Sequence, residues 1–229
     1  NNIEWIEQTG KMPIPTREYN PYVEAFWEWW PTLYKGLHTF RVTGGEPLMM
    51  QEHWNLLDEL LKQGRTDVKL VYNTNFSETI FKGRDVFDIW KEFDSVSVGA
   101  SLDASYFRGE LMRTGTKWSQ TVLNRERMLK VCPDVDFNIS STLSVMNSYH
   151  IPEFHQEWIE LGLLEPMDWN INILQSPEYM RIDVLPEVMK QEVLALYNDH
   201  ISWLEDKDRF KRAINGFKSA MNYMTQTDN

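Results

Sequence analysis

A Gly-Gly-Glu-Pro turn is the segment of this sequence best suited to bind a ligand. Its residues, Gly44, Gly45, Glu46 and Pro47, follow a short β-favouring run over residues 38–42, with Thr43 between. Two residues without a Cβ atom allow a tight turn and a close approach of the backbone to a ligand, and the proline removes one amide and starts a helix. A carboxylate at a helix start can accept hydrogen bonds from neighbouring amides. The turn could equally be a simple tight connection, so its meaning depends on the elements around it.

The apolar pattern changes between helical and strand periods along the chain. A first helix is predicted over residues 20–37, with Pro31 kinking or ending its last turn. Strands are predicted over residues 38–42, 68–73, 96–102, 135–143 and 169–174, and further helices over residues 47–61, 86–93, 118–131, 151–161, 187–204 and 209–224. Strands that alternate with helices need crossover connections, which favours a parallel sheet covered by helices. The predicted class is α/β, with a ligand beyond the carboxyl ends of the strands.

Composition narrows the classes of function. The 229 residues carry a net charge of −11, which repels phosphate backbones, and no Lys/Arg block offsets it, so we expect no nucleic-acid partner. No apolar run is long enough to cross a bilayer, and we expect a cytoplasmic protein without a membrane partner. Cys132 is the single cysteine, which excludes a disulfide within the chain and a metal site of several cysteines. His150 and His155 lack the spacing of metal ligands on one helix face, so we interpret them as surface or packing residues.

Four ordered segments resemble motifs of the radical S-adenosylmethionine (radical SAM) enzymes. Residues 41–48 resemble the GGEP element that follows the second strand of that family. Residues 72–75 resemble its T-N-G strand end, with Phe76 where glycine is common, and residues 101–104 resemble its S-L-D-G strand end. Arg113 falls where an arginine commonly follows, and residues 140–147 resemble the fifth strand and its loop. The resemblance covers about residues 20–185.

This resemblance implies a partial (β/α)6 barrel, similar to a TIM barrel and missing its first strand, that binds S-adenosyl-L-methionine (AdoMet) in its open mouth. The backbone of Gly44, Gly45 and Glu46 would hold the methionyl amino group, with the Glu46 side chain bracing the loop. Ser101 would meet the ribose or the carboxylate, and the guanidinium of Arg113 would pair with the carboxylate. The cofactor-binding set implied by the resemblance is completed by Pro47, Thr74, Asn75, Asp103 and Thr142.

Several of these residues have a structural alternative. Arg113 could instead form a surface ion pair with Glu110 or another acid. Asp103 could orient a ligand or carry a proton, or it could cap the loop after its strand. Asn75 could line the mouth or satisfy turn amides. The two asparagines of residues 170–172 alternate along the last strand, so we expect both on one face, the barrel interior, where they would lie on the substrate side.

The cysteine count departs from the family. Radical chemistry needs a [4Fe-4S] cluster held by three thiolates of a C-x3-C-x2-C loop, and one cysteine cannot hold it. We expect the first strand and this iron–sulfur metal-binding loop to lie upstream of residue 1. The full-length protein would then be an oxidoreductase or transferase that cleaves AdoMet to a 5'-deoxyadenosyl radical, and this chain alone would be inactive. The alternative is a cluster-free barrel that binds a nucleotide, a peptide or a protein.

The predicted domains are an N-terminal extension over residues 1–19, the partial barrel over residues 20–204 and a C-terminal helix over residues 205–229. The substrate, a peptide or a small molecule, is left open. The terminal helices contain no CxxC pair, yet a SPASM or twitch branch of the family is left open as well. If the first strand is missing, residues 38–42 form an unpaired edge. Such an edge favours a homodimer or coverage by residues 1–19.

Overall fold

The computed structural model describes residue 8 and residues 20–226. The chain forms two compact units, residues 1–37 and residues 38–229. Apart from residue 8, the predicted N-terminal extension over residues 1–19 lies outside the described residues. The predicted domain limits stay predictions.

One helix and a short turn form the described part of the first unit. Helix α1 is Pro21–Leu33, and the 3-10 turn Tyr34–Gly36 follows it. Asn20 caps the helix, because its Oδ1 accepts a hydrogen bond of 3.0 Å from the amide of Tyr22. Pro21 fits the first position, where an amide has no partner within the helix. The predicted helix is confirmed, and it continues through Pro31 to a 3-10 end.

A parallel sheet forms the centre of the second unit. Its strands in chain order, with a small hairpin of β3 and β4, are β1 Thr39–Val42, β2 Lys69–Thr74, β3 Ile80–Phe81, β4 Arg84–Asp85, β5 Val96–Ala100, β6 Asp136–Leu143 and β7 Trp169–Ile173. The parallel sheet has the order β1-β2-β5-β6-β7. Each long strand pairs with the next one along the chain, without the reversal of a doubly wound sheet. The predicted α/β class and all five predicted strands are confirmed.

Helices connect the strands. They are α2 Gln51–Lys62, α3 Val86–Trp90, α4 Tyr106–Met112, α5 Trp118–Val131, α6 Ile151–Glu160, α7 Glu187–Leu204 and α8 Arg212–Thr225. The predicted helix over residues 47–61 divides into a 3-10 turn, Pro47–Met49, and α2. The β3–β4 hairpin and α4 were not predicted. Two turns of helix containing Gly109 give too weak a period to detect, yet a Cβ at this position would clash with the carbonyl oxygen of Ala104.

The two faces of the sheet differ in polarity. Along β6, every second residue is buried and the residues between are half-buried, apart from Asp136 at its exposed start. The buried face packs on helices, as Tyr72 does against Trp90 of α3 with ring centres 4.9 Å apart. On the opposite face, the strand register places Asn73, Gly99 and Asn138 side by side. The sheet therefore has one apolar face under helices and one face with a polar row.

Candidate functional site at the strand ends

Glu46 ties the end of β1 to the end of β2. Its Oε1 accepts hydrogen bonds from the hydroxyl of Thr74 at 2.6 Å and from the amide of Leu48 at 3.2 Å. Its Oε2 accepts a hydrogen bond of 2.8 Å from the amide of Asn75. The carboxylate thus fixes two neighbouring strand ends and caps the turn that starts at Pro47, whose side chain is buried.

The two glycines of the turn border open space. A Cβ at Gly44 or at Gly45 would meet no atom within 4 Å. Gly44 has a φ of 111°, which side chains other than hydrogen rarely permit, so the turn requires glycine there. The backbone of this turn is therefore accessible to a ligand.

The loop after β2 uses its polar side chains internally. Asn75 Oδ1 accepts hydrogen bonds from the amide and the hydroxyl of Ser77 at 2.9 and 2.7 Å. Thr74 Oγ1 accepts one of 3.0 Å from the amide of Phe76. Of the two roles considered for the Asn75 side chain, the described contacts are those of a turn residue, and Thr74 is bonded within the same turn.

Phe76 occupies the position where the resembled motif commonly has glycine, and it adopts a left-handed φ of 58°. The ring is fully buried, with its centre 5.1 Å from that of Phe137 and 6.3 Å from that of Phe87. Because burial of an aromatic ring is worth about 2–3 kcal/mol, it offsets a backbone strain of about 1–2 kcal/mol. The departure from glycine therefore leaves the turn conformation intact.

Asp103 connects the ends of β5 and β6. Its Oδ1 accepts a hydrogen bond of 2.7 Å from the amide of Thr142, and its Oδ2 lies 2.8 Å from Nη2 of Arg113. The Asn147 side-chain amide donates to the carbonyl oxygens of Asp103 and Thr142 at 2.8 and 3.0 Å. Asp103 thus bridges two strands rather than only capping its own loop, and it stands where an incoming carboxylate would compete for Arg113.

Arg113 ends helix α4 and is 29% exposed. Its ion-pair partner is Asp103. Glu110, the alternative partner suggested by the sequence, instead accepts a hydrogen bond of 2.8 Å from the amide of Trp118. Arg113 Nε is buried and has no hydrogen-bond partner among the described residues. One donor of this guanidinium is therefore not used by any described residue.

Ser101 lies between the two clusters. Its amide donates a hydrogen bond of 2.8 Å to the carbonyl of Thr74, which extends the pairing of β2 and β5. The structure therefore brings the ten predicted residues to one edge of the sheet as two groups: Glu46, Thr74 and Asn75 with the glycine turn at the ends of β1 and β2, and Asp103, Thr142 and Arg113 at the ends of β5 and β6. Ser101 joins them through its backbone.

The polar row on the open face of the sheet lies beside this site, and the sequence did not predict its residues as a group. A Cβ at Gly99 would lie 3.3 Å from Asn73 Nδ2 and 3.6 Å from Asn138 Oδ1. Asn170 Nδ2 donates a hydrogen bond of 2.9 Å to Asn138 Oδ1, which extends the row to β7. The alternation of residues along the strands could have predicted this row, but it was applied only to β7.

Ser105, His150 and Glu153 form a chain of contacts that resembles a nucleophile, a base and an acid. Ser105 Oγ lies 2.9 Å from His150 Nε2, and His150 Nδ1 lies 2.9 Å from Glu153 Oε2. Ser105 is fully buried, however, and its amide also donates to His150 Nε2 at 3.2 Å. A substrate carbonyl has no access to such a hydroxyl, so the arrangement attaches the start of α4 to α6.

Cys132 is a buried residue at the end of α5, and burial raises the pKa of its thiol to about 11. Among residues 20–226, no group of three or more His, Cys, Asp or Glu side chains could hold a metal ion. The described side chains therefore do not fit an iron–sulfur cluster.

Comparisons with known proteins identify the fold. No protein-family model and no curated protein sequence matches the chain. A solved structure of native anSMEcpe with bound AdoMet and Cp18Cys peptide matches with a TM-score of 0.51 and 17% identity, over 76% of this chain and 49% of that chain. A histidine-tagged anSMEcpe with bound AdoMet matches with a TM-score of 0.51 and 15% identity, over 76% of this chain and 47% of that chain.

The chain therefore shares an α/β fold with the matched anSMEcpe structures over about three quarters of its length. The chain spans about half the length of the anSMEcpe structures that it matches. In the part of the chain that the structure describes, no helix is both long and apolar enough to span a membrane.

Proposed function

We propose that this chain is the AdoMet-binding part of a radical SAM-type enzyme. The observation that carries the proposal is the pair of strand-end clusters, because polar residues from four neighbouring strands meet at the edge where parallel α/β sheets bind ligands. The likeness of the fold to an AdoMet-bound structure supports it.

The residues present suit the two ends of an amino acid. The open backbone of Gly44, Gly45 and Glu46 would receive the methionyl amino group, with carbonyl oxygens as acceptors. Arg113 would bind the carboxylate through the donor that Asp103 now occupies. Ser101, which is half-buried between the clusters, would meet the ribose or the carboxylate.

We further propose that the sheet is part of a partial (β/α)6 barrel over residues 20–204. The sequential order of the five strands supports this, since a barrel winds in one direction. The polar row of Asn73, Asn138 and Asn170 would then face the interior on the substrate side. A peptide is the proposed substrate class, because the matched anSMEcpe structure contains a bound peptide together with AdoMet.

The catalytic half of the proposal depends on thiolates that the chain does not contain. A [4Fe-4S] cluster would supply the electron that cleaves AdoMet to a 5'-deoxyadenosyl radical. The single cysteine, buried Cys132, cannot hold one. This chain by itself is therefore proposed to bind AdoMet without cleaving it, and cleavage is proposed only where three further thiolates are supplied.

The single cysteine, buried Cys132, also favours a second candidate, a cluster-free barrel that binds a nucleotide, a peptide or a protein.

Anaerobic reconstitution of the chain with iron and sulfide tests whether the chain alone forms a cluster. We expect far less than one iron per chain, because Cys132 lacks both exposure and thiol partners. A stoichiometry near four irons would contradict this.

Titration calorimetry with AdoMet and S-adenosylhomocysteine tests the binding half. We expect a dissociation constant of roughly 0.1–1 mM, because the contacts to an iron are missing. Arg113→Ala should weaken binding about tenfold. Arg209→Ala, an exposed arginine after α7, is the matched control and should bind like the parent. Absence of binding at millimolar ligand, or equal binding by Arg113→Ala and the parent, would refute the proposed site.

A further inference from the structure

Helix α4 carries Arg113 at its end, and the backbone at its start is strained. Its first residue, Tyr106, has a φ of 53°, in the left-handed region that a tyrosine rarely adopts. Such a conformation persists only where the surroundings hold it. A helix of seven residues is also too short to be stable by itself. The position of α4 therefore depends on contacts from other elements, one of which is the hydrogen bond that the Tyr106 hydroxyl donates to Glu157 of α6.

His150 holds Ser105, the residue that precedes α4. It is 5% exposed, and its Nε2 accepts a hydrogen bond of 3.2 Å from the amide of Ser105. Because an amide can only donate, Nε2 carries a lone pair and the proton of the neutral ring is on Nδ1. Nδ1 lies 2.9 Å from Glu153 Oε2, which accepts that proton in a hydrogen bond. The hydroxyl of Ser105 lies 2.9 Å from the same Nε2. One atom of the imidazole thus satisfies two buried groups of Ser105.

The backbone of His150 is also linked to the strand ends. Its amide donates a hydrogen bond of 2.9 Å to the carbonyl of Asn147. Asn147 is 1% exposed, and its side-chain amide donates to the carbonyls of Asp103 and Thr142. Asp103 is the ion-pair partner of Arg113. His150 is therefore connected to both members of this pair, to Arg113 through α4 and to Asp103 through Asn147.

Two turns of helix connect Ser105 with Arg113. The carbonyl of Ser105 accepts a hydrogen bond of 3.2 Å from the amide of Gly109, and the carbonyl of Gly109 accepts one of 3.0 Å from the amide of Arg113. A displacement of Ser105 therefore displaces Arg113 as well. We propose that His150 is a positioning residue for Arg113, because its neutral ring fixes the start of α4 and thereby the guanidinium at the end. The consequence for AdoMet rests on the proposed function, in which Arg113 binds the carboxylate of the ligand.

The Nε–H signal of Arg113 in two-dimensional NMR of the whole chain tests the proposal without AdoMet. Arg113 Nε is buried, so its proton should give a separate signal that exchanges slowly with water, and Arg113→Lys identifies that signal by removing it. His150→Phe keeps a flat ring without an acceptor, and it should move the signal to the range of exposed arginines. His150→Gln should restore the signal, because its side-chain oxygen can accept from the amide of Ser105.

Two further variants separate this role from a general loss of stability. Leu60→Ala removes a fully buried side chain from the last turn of α2, which leads back to the amino end of β2. It should lower the free energy of unfolding and leave the Arg113 signal unchanged. Ser105→Ala keeps the amide donor and loses only the hydroxyl, so it should shift the signal in the same direction as His150→Phe but by less. If His150→Phe does not fold, an unchanged signal in Ser105→Ala overturns the proposal.

Titration calorimetry measures the consequence for binding. His150→Phe should weaken AdoMet binding about three- to tenfold, whereas decarboxylated S-adenosylmethionine, which lacks the carboxylate, should bind the variant and the parent within about twofold of each other. If the parent does not bind AdoMet, the proposed function fails, and the NMR comparison still decides the role of His150. The positioning role is overturned if His150→Phe leaves the Arg113 signal unchanged, if His150→Gln does not restore it, if Leu60→Ala moves it equally, or if His150→Phe weakens both ligands equally.

Discussion

The Asp103–Arg113 ion pair allows a prediction with an unusual sign. Asp103 Oδ2 lies 2.8 Å from Arg113 Nη2, and Asp103 Oδ1 accepts from the amide of Thr142. If Arg113 binds the carboxylate of AdoMet, that ligand must compete with a carboxylate already in place. Asp103→Asn removes the competing charge, while the new amide oxygen can still accept from Thr142. We therefore expect this substitution to tighten AdoMet binding.

The size of the effect follows from the exposure of the pair. A hydrogen bond between charged groups contributes about 1.5–3 kcal/mol net when buried. The Arg113 side chain is 29% exposed, so solvent screening reduces this to about 1–2 kcal/mol. Release of that competition corresponds to about 5- to 30-fold tighter binding of AdoMet. The free energy of unfolding should fall by about 1–2 kcal/mol in the same variant, because the folded chain loses the pair.

Titration calorimetry of the parent and of Asp103→Asn with AdoMet measures the change, and urea unfolding measures the stability. 5'-Deoxyadenosine is the control ligand, since it lacks the carboxylate and should bind both proteins equally. If Asp103→Asn binds AdoMet as well as the parent or more weakly, Asp103 positions Arg113 instead of competing with the ligand. If the parent itself does not bind AdoMet, the proposed function fails before this comparison.

Two further predictions concern stability. Gly109→Ala should lower the free energy of unfolding by about 1–3 kcal/mol despite the higher helix propensity of alanine, because its Cβ would clash with the Ala104 carbonyl oxygen. At Gly216 in α8, a Cβ would lie 3.5 Å from the side chain of Ile171, an ordinary contact, so Gly216→Ala should raise the free energy of unfolding by up to about 1 kcal/mol. Urea unfolding measures both variants, and the opposite ranking would contradict the packing argument. Burial lowers the pKa of His53 from 6.5 to about 4, because the folded state disfavours the protonated ring. The free energy of unfolding should therefore be highest above pH 6.5 and should fall by roughly 3 kcal/mol as the pH decreases towards 4. His53→Gln should reduce the slope of unfolding free energy against pH in that window, and an unchanged slope would exclude His53 as its source.

Sequence patterns predicted those elements whose burial repeats with a clear period. Strand β6 alternates polar and apolar residues from Asp136 to Ser140, and the structure buries every second residue from Phe137 to Leu143. Helix α4 has seven residues and a glycine at its centre, so no periodic signal was present. It forms because Gly109 permits close contact with the preceding turn, which is a three-dimensional condition.

The candidate site was predictable in position but not in pairing. Parallel topology alone places the residues that end or follow neighbouring strands at one edge, which is why Glu46 lies near Thr74 and Asp103 lies near Thr142. The choice of Asp103 rather than Glu110 as the partner of Arg113 depends on how α4 is placed. Since α4 was not predicted, neither was that partner.

The two strand-end clusters differ in what a ligand would have to displace. At the ends of β1 and β2, Glu46 is bonded to Leu48, Thr74 and Asn75, and these bonds leave the glycine backbone open. A ligand can bind there without breaking a contact. At the ends of β5 and β6, the cation that would hold a carboxylate is already paired with Asp103.

Binding at the first end thus adds contacts to a fixed frame, whereas binding at the second exchanges one carboxylate for another. An exchange contributes less net affinity than the addition of a new ion pair would, because the pair with Asp103 is lost when the new one forms. It does contribute selectivity, since a ligand without a carboxylate leaves the Asp103 pair intact and gains only the contacts of the first end.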